Sequence, residues 1–139
     1  MTTLTNTRYV EIAKALQVVY PSVFSEVMNM CIPMLEDVKL IPRIYAAIRQ
    51  NYPDIDRTDE SILFTACVYK AYAPATFIGK GVARVRAGVR EAMCEVMEWP
   101  DKPIVNYYAE ISKAYIKTPT VSQRVSSVHI AFEKFRKIN

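Results

Sequence analysis

Residues 62–72, with the sequence ILFTACVYKAY, decide the fold because they are apolar on nearly every side. A helix that is apolar all round is buried inside a protein, so this segment predicts a central helix with other helices packed around it. Asp56 or Thr58 is expected to cap its N-terminus by accepting a hydrogen bond from a free backbone amide. Pro74 is expected to end it, since proline cannot continue a helix.

Prolines and the helical spacing of apolar residues divide the rest of the chain into further helices. Examples of this spacing are Val10, Ala13 and Leu16 near the N-terminus, followed by Val23, Val27 and Met30. The predicted helices cover residues 7–19, 22–30, 42–51, 87–98 and 102–116, with a last one from 119 onward. The sequence therefore predicts an all-α fold.

The predicted architecture is a single compact bundle of about six to eight short helices, with residues 1–139 as one domain. Residues 77–86 fit neither helical nor strand spacing. They predict a small β-hairpin or an irregular loop at that place.

The composition is that of an ordinary globular chain. Apolar residues make up 51% of the 139 positions and charged residues 23%, which argues against disorder. No run approaches the ~18 apolar residues that a membrane-spanning helix needs, and the N-terminus lacks the pattern of a secretory signal. We expect an intracellular protein that is neither secreted nor bound to a membrane, in the cytoplasm of a host cell or within a virion.

Neither the three cysteines nor the single histidine predicts a metal or catalytic site. The cysteines lack the paired spacing of zinc ligands or of a disulfide framework, so buried thiols are expected. His129 lies beside an apolar stripe and matches no catalytic pattern. Gly79-Lys80 lacks the upstream glycine and the following hydroxyl of a phosphate-binding loop. The sequence therefore predicts no enzyme, no metal and no cofactor.

Positive charge gathers around the three glycines of the chain. Residues 78–90 contain all three glycines, four basic side chains and no acidic one. Residues 70–139 contain twelve basic and six acidic side chains, against six basic and eight acidic in residues 1–69. This asymmetry indicates an anionic partner for the C-terminal half. A solvated basic surface with no partner is the other interpretation.

The segment that follows, residues 91–108, scans as a helix, a tight turn and a second helix. The residues that would pack it are Met93, Cys94, Met97 and Trp99, then Ile104 with Tyr107 or Tyr108. It resembles the helix-turn-helix segment common to small DNA-binding proteins of phages and mobile elements. The resemblance implies that the second helix enters a major groove. The chain departs from the pattern at the turn, where Glu98 and Trp99 stand near the usual glycine.

Together the basic stretch and this resemblance predict a non-enzymatic nucleic-acid-binding protein. Asparagine on a reading helix can bond an adenine edge, while lysine and arginine meet guanine or phosphate. The predicted nucleic-acid-binding residues are Lys80, Arg84, Arg86, Arg90, Lys102, Asn106 and Lys113. Glu91, Glu95 and Glu110 would have to point away from the duplex, because carboxylates repel phosphates.

An alternative function is assembly, as a structural component of a phage or mobile element. Apolar residues of the last helix recur at alternating intervals of three and four, which is typical of helix–helix packing. The predicted contacts with a protein partner or a second copy are Val125, Phe132 and Phe135. The same stripe could instead cover the protein's own core.

Overall fold

The computed structural model describes residues 5–138, apart from the side chains at positions 135, 137 and 138. This range contains seven α-helices, two 3-10 helices and no β-strand. The prediction of an all-α fold with several short helices is therefore confirmed.

The helices begin and end close to the predicted positions. They are α1 (Asn6–Val19), α2 (Pro21–Cys31), α3 (Ile41–Asn51), α4 (Arg57–Tyr72), α5 (Val89–Met97), α6 (Pro103–Tyr115) and α7 (Pro119–Ile138). The 3-10 helices are Val38–Leu40 and Pro74–Phe77. A proline opens each of α2, α6 and α7, where its missing N–H costs nothing.

The chain divides into two compact units, Met1–Ile32 and Pro33–Asn139. We call the first the N-terminal helix pair, since it holds α1 and α2, and the second the main unit. That residues 1–139 form one domain stays a prediction.

Helix α4 is the centre of the main unit, as its apolar sequence predicts. Twelve of its 16 residues are buried, and α3, α5, α6 and α7 all contact it. Asp56 caps its N-terminus, where the carboxylate accepts a hydrogen bond of 2.9 Å from the backbone N–H of Asp59. The cap satisfies an amide that the first helical turn leaves free.

One residue of α4, Glu60, is a buried carboxylate with an exposure of 4%. Nη1 of Arg49 lies 2.7 Å from one of its oxygens, and Nη1 of Arg57 lies 2.9 Å from the other. The Tyr45 hydroxyl donates a further hydrogen bond of 3.3 Å, and Arg57 also donates to the carbonyl oxygen of Met97. This cluster compensates the buried charge and ties α3, α4 and α5 together.

The buried face of α6 differs from the predicted one. Its buried residues are Val105, Ala109 and Ser112. Small residues let α6 approach α4 closely, and the Ser112 hydroxyl donates a hydrogen bond of 3.0 Å to the carbonyl oxygen of Ile62. Of the two tyrosines predicted as anchors, Tyr108 is half-buried and stacks on Trp99 with ring centroids 5.2 Å apart, whereas Tyr107 is 62% exposed.

Between the second 3-10 helix and α5 the chain forms an irregular loop, residues 78–88. Of the two predicted alternatives, the loop is therefore the one observed. Gly81 and Gly88 adopt positive φ angles of 67° and 93°, a conformation that glycine reaches without strain. Gly88 turns the chain directly into α5. The glycines thus shape the loop that carries three of the six predicted cations, Lys80, Arg84 and Arg86.

Candidate nucleic-acid interface

Four of the seven predicted nucleic-acid-binding residues line one open cleft of about 620 Å³. Arg84 and Arg86 come from the loop, Arg90 from the first turn of α5, and Asn106 from α6. We call this cavity the arginine cleft.

The loop sequence alternates so that its arginines stay accessible. Val82 and Val85 pack against the core, while Arg84 and Arg86 are exposed. The backbone N–H of Ala83 donates a hydrogen bond of 3.1 Å to the Thr76 hydroxyl, which anchors the loop to the 3-10 helix before it. The valines therefore fix the segment while the guanidinium groups remain available to a ligand.

Lys113 stabilises this loop and does not line the cleft. Its ammonium group donates hydrogen bonds to the carbonyl oxygens of Gly79 and Gly81, the second at 2.7 Å. An ammonium has three donors, and two of them are directed at the backbone of its own chain. We therefore assign Lys113 a positioning role in the loop.

Lys102 is also held by its own chain. Its ammonium lies 2.5 Å from a carboxylate oxygen of Glu91. The hydrogen bond from Lys102 lowers the pKa of Glu91, so that carboxyl stays ionised to a lower pH than usual. Both side chains are exposed, so the pair contributes little stability, but it compensates the negative charge of Glu91.

The other predicted cations differ in their surroundings. Arg86 has a distant ion pair with Glu36, whose oxygen lies 3.9 Å from the guanidinium. Lys80 is exposed and lies outside the cleft lining. Within the described part of the chain, no ion pair forms at Lys80, Arg84 or Arg90. Arg84 and Arg90 are thus the cleft cations with no carboxylate partner in that range.

Acidic and phenolic groups complete the cleft. Glu91 and Glu110 line it together with the three arginines. Tyr69 also contributes, and burial raises the pKa of its phenol despite the opposing effect of Arg90. The cleft therefore presents three guanidinium groups, two carboxylates and a phenol that stays neutral at physiological pH.

The connection between α5 and α6 contains a left-handed residue near the place where helix-turn-helix segments usually have glycine. Glu98 has φ 58° and ψ 38°, and it is the only non-glycine residue of residues 5–138 with a positive φ. The N–H of Trp99 then bonds the carbonyl oxygen of Cys94 at 2.9 Å. Because many helices end in such a cap, this geometry does not by itself identify a helix-turn-helix, and the resemblance stays a prediction.

Tyr107, which is exposed next to Asn106 on α6, was predicted as a packing residue and not as a nucleic-acid-binding one. The available signal was the small residues Ala109 and Ser112, whose spacing marks the buried face and therefore places Tyr107 outside it. An exposed aromatic ring beside an exposed amide can stack on a base.

The predicted protein interface on α7 faces the core. Val125 and Phe132 are only 7% and 4% exposed and belong to the apolar core of the main unit. The side chain of Phe135 lies outside the described residues. At Val125 and Phe132 the stripe therefore covers the protein's own interior, because α7 packs on α3 and α4, and neither side chain is free to meet a partner.

Cys67 and His129 line the same small apolar pocket of about 30 Å³. Burial raises the pKa of the Cys67 thiol, which keeps it protonated. A nucleophilic cysteine needs the opposite shift, toward the thiolate. Cys67 is thus not an activated nucleophile.

Among residues 5–138, no group of three or more His, Cys, Asp or Glu side chains is placed to hold a metal ion. No helix in the same range has both the length and the apolar character needed to cross a membrane. Neither a family model, nor a curated protein, nor a solved structure matches the chain.

Proposed function

We propose that this protein binds nucleic acid without catalysing a reaction, and that the arginine cleft contacts the phosphate backbone. The observation that carries the proposal is the convergence of Arg84, Arg86 and Arg90 on one cleft. Guanidinium groups bind phosphate through paired hydrogen bonds, and phosphate contacts supply most of the affinity for nucleic acid.

The charges around the cleft support an anionic ligand. Two carboxylates stand beside the three arginines, but Lys102 compensates Glu91. Glu110 forms no ion pair among the described residues, so its carboxylate opposes a phosphate. The net balance remains positive, with Glu110 as the group that limits affinity.

Helix α6 is the proposed reading element. Asn106 lies on its exposed side and also lines the cleft, so a backbone held by the arginines would bring base edges toward its amide. In the helix-turn-helix arrangement that the sequence resembles, α6 occupies the major groove of duplex DNA. Asn106 would then bond adenine.

The test is a fluorescence titration of labelled random duplex and single-stranded oligonucleotides at several salt concentrations. Arg84→Ala with Arg86→Ala should weaken duplex binding by on the order of tenfold and reduce the salt slope by about 2, because two phosphate contacts are lost. The matched control removes two exposed cations elsewhere, Arg43→Ala with Lys117→Ala, and should change the slope much less.

Glu110→Gln should have the opposite effect on binding. Removing this carboxylate should strengthen binding a few-fold, because it eliminates repulsion of a phosphate. Equal weakening by the cleft and control variants would contradict the proposal, as would a wild-type protein that binds neither oligonucleotide. Binding confined to single strands would reject α6 as a major-groove reader.

A further inference from the structure

The N-terminal helix pair exposes a large amount of apolar side chain. No residue of α1 or α2 is buried. Twelve large apolar side chains between Tyr9 and Ile32 are 41–81% exposed, against five such side chains in the rest of the described chain. Exposed apolar surface gathered in one region marks an interaction site.

These side chains form two stripes with the same spacing. The stripe on α1 consists of Tyr9, Ile12, Leu16 and Val19. The second stripe begins at Tyr20, directly before α2, and continues on α2 with Val23, Val27 and Met30. In both, the intervals are three, four and three residues, which is the spacing by which one helix packs along another.

The helix pair contains little that would stabilise it alone. Helices of 14 and 11 residues are marginal in water without tertiary packing. Only Ala13, Phe24 and Cys31 are even partly buried. A covering surface is therefore needed to stabilise these helices.

The exposed area matches what a stable dimer needs. The eight side chains of the two stripes present on the order of 700 Å² of surface, and a standard interface buries about 800 Å² on each partner. The charges also suit a second copy. Arg8, Lys14, Glu11 and Glu26 leave the described part of the pair with no net charge, so two copies do not repel each other.

We propose that the N-terminal helix pair docks on the same pair of a second copy of this chain. Because the two stripes have the same spacing, α1 of one copy can pack along α2 of the other. A two-fold axis then generates the same contact a second time. The dimer is independent of nucleic-acid binding, since the arginine cleft belongs to the main unit.

Light scattering coupled to size-exclusion chromatography tests the proposal on the full chain. The wild type should show about twice the monomer mass of 15.9 kDa when concentrated and approach that mass on dilution. Leu16→Glu with Val27→Glu places one charge in each stripe and should give the monomer mass at every concentration. Gln17→Glu with Asn29→Glu adds the same charge to exposed polar positions of the same helices and should behave like the wild type.

Trp99 fluorescence shows in each variant whether the main unit is folded. If the glutamates prevent folding, Leu16→Gln with Val27→Thr tests the stripes without added charge and should also lower the mass. A wild type that is monomeric at all concentrations would overturn the proposal, and so would a folded stripe variant that keeps twice the mass. A monomeric wild type that binds neutral phosphatidylcholine vesicles would also overturn it and assign the stripes to a lipid surface.

Discussion

Helix α4 and the N-terminal helix pair are both rich in apolar residues, yet α4 is buried and the helix pair is exposed. In α4, 12 of 16 residues are buried by four neighbouring helices. In α1 and α2, no residue is buried. An apolar helix face therefore specifies that the face must be covered, but the sequence of that helix does not specify which surface covers it.

The largest expected effect is the loss of stability when a buried aromatic ring of α4 is removed, compared with the removal of an exposed ring of α1. Phe64 is fully buried, with its ring 5.8 Å from that of Tyr45 and 6.4 Å from that of Trp99. Phe64→Ala should lower the free energy of unfolding of the main unit by about 3–5 kcal/mol, because it leaves a cavity. Tyr9→Ala, in dilute solution, should change it by less than about 0.5 kcal/mol.

Urea unfolding followed through Trp99 fluorescence and circular dichroism measures both values. Similar losses of stability in the two variants would mean that Tyr9 supports the main unit as much as a core residue does, which would contradict the contrast between α4 and the N-terminal helix pair.

A smaller effect contrasts two glutamates. Glu60→Gln should cost the main unit about 2 kcal/mol, since it removes the charge that Arg49 and Arg57 bind. Glu26→Gln, at an exposed position of α2, should be nearly neutral. The midpoint of urea unfolding, measured for both isosteric variants, gives the two values. An unchanged midpoint in Glu60→Gln would show that the ion pairs of Glu60 with Arg49 and Arg57 contribute no stability.

The smallest expected effect is a gain in stability of the main unit alone. Glu98→Gly should raise the free energy of unfolding by about 1 kcal/mol, because glycine adopts the left-handed conformation without strain. Glu95→Gly, inside α5, should lower it by about the same amount. The midpoint temperature of thermal unfolding should therefore rise in Glu98→Gly and fall in Glu95→Gly. The mass of the protein in solution should not change in either variant. Shifts of one sign would contradict a strained cap at Glu98.

The sequence predicted the helices well because prolines, caps and apolar spacing are local signals. The run from Ile62 to Tyr72 identified the central helix, and Asp56 was one of two predicted caps that the structure decides between. Such features need only residues that are close together along the chain.

The errors arose where distant residues decide the outcome. The fully buried side of α6 consists of Val105, Ala109 and Ser112, and it is set by packing on α4, where the Ser112 hydroxyl donates to the carbonyl oxygen of Ile62. Glu60 is a second case, because nothing along the chain indicated that Arg49 and Arg57 would bind its buried carboxylate.

The residues that line the cleft were predicted in part. Clustering of charge along residues 78–90 identified Arg84, Arg86 and Arg90, which do converge. The roles of Lys102 and Lys113 depend on Glu91 and on the carbonyls of Gly79 and Gly81. Spacing along one helix carries no information about these contacts.

Hydrogen exchange of the backbone amides, measured on the wild type at low and at high protein concentration, tests the contrast between the two regions most directly. Amides of α4 should be strongly protected at both concentrations, because the main unit buries that helix by itself. Amides of α1 and α2 should be protected only at the high concentration, where a second copy covers the stripes. If α1 and α2 were protected as strongly as α4 in a dilute, monomeric sample, these helices would be stable without a second copy, contrary to the proposed dimer.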